Sequence, residues 1–136
     1  MMDTVRVEVP VRATEDPEKV REAVMNVFPD LEIEGYGDFL KGEGNTESLS
    51  ELREALERRR IRLTARGILI KNMRGKLTRI YINKQAALIG RVNVLEEPIT
   101  PLGDIMVEIE SDDIMGIIDW LAPDVSGEME GSMDEK

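Results

Sequence analysis

The chain of 136 residues contains no cysteine and no histidine. The first absence excludes disulfides, thiolate zinc sites, iron–sulfur clusters and thiol nucleophiles. The second removes the usual general base near neutral pH, the commonest metal ligand and every triad built on imidazole. Aromatic residues are scarce, with one Trp, two Tyr and two Phe. Tyr81 is the one ring that the pattern leaves ready for stacking, which disfavours base-by-base capture of a single strand. No apolar run approaches the roughly 20 residues of a membrane span, and "MMDTVRVEVP" lacks a secretory apolar region. These absences predict a cytoplasmic, non-enzymatic protein without metal or cofactor, with no membrane partner.

The length fits one domain, and a chain of this size buries about two thirds of its extended surface without covalent staples. What the sequence does have is segregated charge. Residues 1–52 carry five Lys/Arg against thirteen Asp/Glu, residues 53–91 twelve against two, and residues 92–136 one against thirteen. Nine of the twelve central cations are arginines. The net charge is −10, yet a ligand senses the local field, because salt screens charges beyond about 8 Å.

"VRVEVPVR" alternates Val5, Val7, Val9 and Val11 with polar residues or Pro10, the period of a strand with one buried face. Pro10 lacks an N–H, which suits an edge strand or an outward-pointing position. Thr14 or Asp16 caps a helix with Pro17 at its first position, Val20, Val24, Val27 and Phe28 as its apolar face and Pro29 as its stop. "LEIEGYGDFLKGEGN" reads as a strand, a glycine-rich bend containing Tyr36, and a second strand. Thr46 or Ser48 opens the next helix, with Leu49, Leu52 and Leu56 as its stripe. Helical spacing continues past Arg60, but there the apolar set Ile61, Ala65, Ile68 and Leu69 faces the opposite side. One straight helix cannot bury both stripes, so a break is expected near Arg60.

"GKLTRIYIN", "RVNVLE" and "DIMVEIES" read as strands, "EPITPLG" as a loop punctuated by Pro98, Pro101 and Gly103. A last helix starts at Asp112 or Asp113 and stops at Pro123, followed by an acidic tail, 124–136, with a disordered composition. The globular domain is therefore expected over 1–123. The order β, α, β, β, α, α, β, β, β, α with short links predicts an α+β two-layer sandwich, its antiparallel or mixed sheet covered by helices on one face.

Arg58, Arg62 and Arg66 are spaced by four with Arg59 beside them, a candidate ridge about 12 Å long for phosphates. The competing account is compensation of the acidic flanks inside the fold. In "INKQAALIGRVN", Asn83, Lys84, Gln85 and Arg91 offer donors beside small Ala86 and Ala87; a tight turn packed on the sheet would place the same residues. "GYGDFLKGEG" lacks the Gly-Lys-Ser/Thr of a phosphate loop, and the acids of "ESDD" are more simply caps than cation ligands.

"NKQAA" (Asn83 to Ala87), "PLG" (Pro101 to Gly103) and "DWLAP" (Asp119 to Pro123), preceded by "VPVRATEDPEKVREAV", resemble an archaeal family of uncharacterised proteins numbered 0201 and labelled RNA-binding. The resemblance runs from about Val5 to Pro123. It implies a fold similar to the fifth protein of the large ribosomal subunit, an α+β two-layer sandwich, and brings no catalytic residues. Leu63 stands where it implies an acidic residue before Thr64-Ala65-Arg66. The expected partner is folded or duplex RNA, contacted by Arg58, Arg59, Arg62, Arg66, Asn83, Lys84, Gln85 and Arg91. The alternative is an assembly module, such as a homodimer in which the basic segment of one copy meets the acidic surface of another.

Overall fold

The computed structural model describes residues 3–35, 37–99 and 103–128. Tyr36 of the glycine-rich bend, Thr100 to Leu102 of the loop and residues 129–136 of the acidic tail lie outside that set. Six strands form one sheet: β1 (Thr4–Pro10), β2 (Ile33–Gly35), β3 (Phe39–Gly44), β4 (Leu77–Ile82), β5 (Val94–Leu95) and β6 (Ile105–Glu110), in the order β2-β3-β1-β6-β4-β5. Every pairing is antiparallel. The helices are α1 (Pro17–Val27), α2 (Ser50–Arg58), α3 (Arg62–Lys71), α4 (Lys84–Leu88) and α5 (Ile114–Leu121). The α+β two-layer reading holds, in its antiparallel form.

Alternation dictates the layering. Val5, Val7 and Val9 of β1, Ile80 and Ile82 of β4, and Ile105, Val107 and Ile109 of β6 point to one face and are buried. They join Val20, Val24 and Val27 of α1, Leu52 and Leu56 of α2, Ala65 and Leu69 of α3, Ala87 of α4 and Ile118 and Leu121 of α5 in one core. Burying a side chain of this kind contributes about 1.5–3 kcal/mol relative to leaving it in water. β1 lies inside the sheet rather than at its edge; Pro10 is its last residue, past the end of the β1–β6 ladder at Glu8 and Met106, so its missing N–H breaks no bond there. Val125, past Pro123, is also buried.

The caps sharpen the expected helix starts. Asp16 accepts from the Glu18 N–H at 3.0 Å with Pro17 behind it. Asn45, rather than Thr46 or Ser48, opens a short 3-10 turn that feeds α2. Asp113 caps α5 through the Gly116 N–H at 3.1 Å.

The opposite face of the sheet carries half-buried and exposed side chains, with no helix layer over it among the described residues. It carries one alternating row of charge across four strands, Glu43, Arg6, Glu108 and Arg79, each the register neighbour of the next. Arg6 donates to Glu108 at 3.1 Å and to Glu110 at 2.8 Å, and Arg79 donates to Glu108 at 3.0 Å. Bonds first to Glu110 for Arg6 and first to Glu108 for Arg79 hold both guanidinium groups above the ordinary arginine range.

Candidate nucleic-acid interface

The basic segment folds as two helices meeting at a corner. α2 ends at Arg58, Arg59 is its cap, and Arg60 adopts a left-handed backbone with φ of 59°. The Arg60 N–H donates to the Glu57 carbonyl and the Ile61 N–H to the Leu56 carbonyl, both at 3.0 Å. This is the Schellman arrangement, in which the left-handed position is usually glycine because a Cβ there is strained. The break expected near Arg60 is therefore present, with a defined geometry. It also corrects the expected ridge: Arg58 closes one helix and Arg62 opens another, so Arg58, Arg62 and Arg66 do not form one helical row.

The basic residues divide by what surrounds them. Arg66 donates to Asp119 at 2.8 Å and to the Ala122 carbonyl at 3.2 Å, tying α3 to the end of α5. Arg62 lies 4.0 Å from Glu57 and is only 18% exposed at its side chain. Arg53 bonds the Trp120 carbonyl at 2.8 Å and sits 5.2 Å over that ring. Lys71 pairs with Glu96 and Lys76 with Asp112, and these bonds, ahead of all other causes, raise both amines above the ordinary lysine range. For Arg66, Lys71 and Lys76, compensation of the acidic flanks within the fold is what the structure displays.

Lys84 is the extreme case. It is 4% exposed, and its Nζ donates to the Pro10 carbonyl at 2.7 Å and to both Glu15 oxygens at 2.9 and 3.1 Å. A buried ammonium requires such matching, so Lys84 anchors the root of α4 and is closed to a phosphate. The "NKQAA" segment is a helix, not a turn: the Asn83 side chain accepts from the Ala86 N–H at 2.7 Å and so caps α4, while Ala87 packs into the core. Gln85 is exposed.

What remains available gathers at the α2–α3 corner. The Arg59 guanidinium donates to the Val92 carbonyl at 3.1 Å and to Asn93 Oδ1 at 2.5 Å, which holds the segment 90–93 against the corner. Arg91, in that segment, and Arg60 are exposed and have no side-chain partner among the described residues. Arg58 is 60% exposed and meets Glu51 at 3.1 Å, a surface pair that constrains it little. Four arginines therefore surround one corner, next to Ile89, which is 77% exposed. Sequence reasoning selected Arg58, Arg59 and Arg91 but not Arg60; the signal for it was the reversal of the apolar stripe.

The charges of "ESDD" serve the fold, Asp112 with Lys76 and Asp113 as a cap. Among the described residues no helix is long and apolar enough to cross a membrane.

A family model described as RNA binding matches residues 4–110. A UPF0201 protein of Methanothermobacter thermautotrophicus is 70% identical over 125 residues, covering 92% of this chain and 95% of that one. A UPF0201 protein of Thermococcus onnurineus is 41% identical over 128 residues, with coverage of 90% and 93%. The crystal structure of a UPF0201 protein from Methanococcus jannaschii superposes with a TM-score of 0.76 at 38% identity, covering 89% of this chain and 93% of that one. Another crystal structure of an uncharacterized UPF0201 protein gives a TM-score of 0.79 at 33% identity, with coverage of 89% and 94%.

Proposed function

The chain belongs to the UPF0201 family, matched by the model described as RNA binding, and from that premise we propose that it is a non-enzymatic protein binding folded or duplex RNA through the α2–α3 corner. Arg58, Arg59, Arg60 and Arg91 contact phosphates, and Gln85 makes a finer contact from the neighbouring helix. Arg62, Arg66, Asn83 and Lys84 support this surface from within.

The observation that carries the proposal is Arg60. Left-handed backbone at a non-glycine residue costs about 1–2 kcal/mol, and strain of this kind concentrates at functional positions. Here the strained residue is also an exposed arginine without a side-chain partner among the described residues, adjacent to Arg58 and Arg59. Arginine forks bind phosphate oxygens bidentately, which suits a surface that recognises shape rather than sequence.

The test is a salt titration of RNA binding by the whole chain. Four neutralised phosphates give a slope near −3.6, so affinity falls roughly a hundredfold between 50 and 200 mM salt. The double variant Arg60→Ala, Arg91→Ala flattens that slope by about 2. A flat salt dependence, or no binding at 50 mM salt, overturns the proposal. The exposed Arg60 and Arg91 also suit a second reading, docking of this basic corner onto the acidic surface of another copy of the chain. Sedimentation across ionic strength separates the two: salt-driven dissociation of a dimer that has no RNA affinity supports docking.

A further inference from the structure

The open face of the sheet holds two unlike rows. One is the paired row Glu43, Arg6, Glu108, Arg79. The next, in register, is Lys41, Glu8, Met106, Tyr81. In this second row Glu8 has no hydrogen bond or ion pair among the described residues, although Lys41 is its register neighbour. Beyond it, at the end of β1, the Arg12 guanidinium is likewise without a partner there.

Both unpaired groups line one cleft of about 300 Å³, with Pro10, Phe39, Tyr81 and Met106. That volume lies at the lower end for small-ligand sites. Gly103 closes its rim: φ is 87°, and a Cβ there would collide with Pro10. Tyr81 and Met106 are direct register neighbours, so ring and thioether form one polarizable platform. Phe39 stands on the same face three strands away, about 14 Å at the usual strand spacing.

We propose that this cleft binds a guanine base, stacked on Tyr81 and Met106, with Glu8 accepting from its N1–H and N2–H₂ and Arg12 donating to its O6 and N7. Among the four standard bases, guanine alone presents two adjacent donors on its Watson–Crick edge, the complement of a two-oxygen acceptor. Glu8 lies one strand beyond Met106 in the same row, so its carboxylate meets the edge of a base resting on that platform. Arginine is the side chain suited to O6 and N7. The cleft is on the face away from the core helices and acts independently of the α2–α3 corner. The guanine can come from a free nucleotide or from an unpaired guanosine in RNA.

The whole chain is titrated with GMP, IMP, AMP and UMP, following amide shifts by NMR and heat by calorimetry. GMP saturates and moves the amides of residues 7–9, 11–12, 39–41, 80–82 and 105–107. IMP, which lacks N2–H₂, binds about tenfold more weakly, and AMP and UMP more weakly still. Glu8→Gln removes the preference for GMP over IMP, and Tyr81→Leu lowers affinity for both without removing it. Glu8→Gln keeps the test valid if the Tyr81 variant unfolds. A short oligonucleotide with a single G that binds more tightly than GMP points to RNA as the source, and equal or weaker binding to the free nucleotide. No saturation by either, shifts confined elsewhere, or a GMP preference that survives Glu8→Gln overturns the proposal.

Discussion

The α2–α3 corner and the root of α4 hold the same kind of charge from the same basic segment, and the fold uses them in opposite ways. At the root, Lys84 is desolvated and donates to the Pro10 carbonyl and the Glu15 carboxylate. At the corner, Arg60 is exposed and unpaired among the described residues, on a backbone that a glycine would hold with less strain. A buried cation must be matched by the fold, whereas one meant for a partner must be left unmatched and hydrated. Charge counting along the chain registers both as +1, and burial alone separates them.

The largest effect expected from this contrast is at the root. Lys84→Met leaves Glu15 mostly buried without its cation, which lowers unfolding free energy in urea by about 3–5 kcal/mol. RNA affinity of the folded fraction stays unchanged, and adding Glu15→Leu restores much of the stability. A loss of affinity at unchanged stability would break the contrast. Next comes Arg66→Ala, which removes the tie to Asp119 and the Ala122 carbonyl and costs about 1–2 kcal/mol, with an unaltered salt slope for RNA.

Arg60→Gly is smaller and opposite in sign. Relief of the left-handed strain raises stability by about 1 kcal/mol, while RNA affinity falls and the salt slope drops by about 1. A more stable variant with undiminished RNA binding would assign Arg60 no role at the surface. Smallest is the exposed pair Lys76–Asp112. Hydrogen bonding to Lys76, then its charge, holds the Asp112 carboxyl below the ordinary aspartate range. A lowered folded-state value stabilises above the ordinary range, and the contribution fades as pH falls through the lowered value. Carboxyl NMR titration should show Asp112 moving upward in Lys76→Ala, with RNA binding unaffected.

Much of the fold was legible in the chain. The valine alternation of β1, the Asp16-Pro17 start of α1, the strands β4 and β6 and the break near Arg60 all follow from periodicity and caps. α4 was not, because five residues are too few for a helical period to declare itself and its cap, Asn83, lies directly after a strand. The site was legible only in part. A spacing of four between Arg58 and Arg62 implies one face only while the helix continues, and a single left-handed residue cancels it. Phe39 and Glu8 share a cleft with Tyr81 through a register between distant strands, which no local window contains.

The central seam of the sheet joins the first strand to the last, as Arg6 and Glu108, 102 positions apart, already show. Closing so long a loop must precede the contacts that reward it, which slows folding relative to local pairings. During synthesis, β1 with β3 and β2 can assemble as one half, yet the shared core waits until residues 105–110 have left the ribosome. The chain thus emerges N-terminus first with a half-sheet whose inner edge, β1, stays open until the final strand arrives, and that interval is when a nascent copy is most exposed to pairing with the wrong strand.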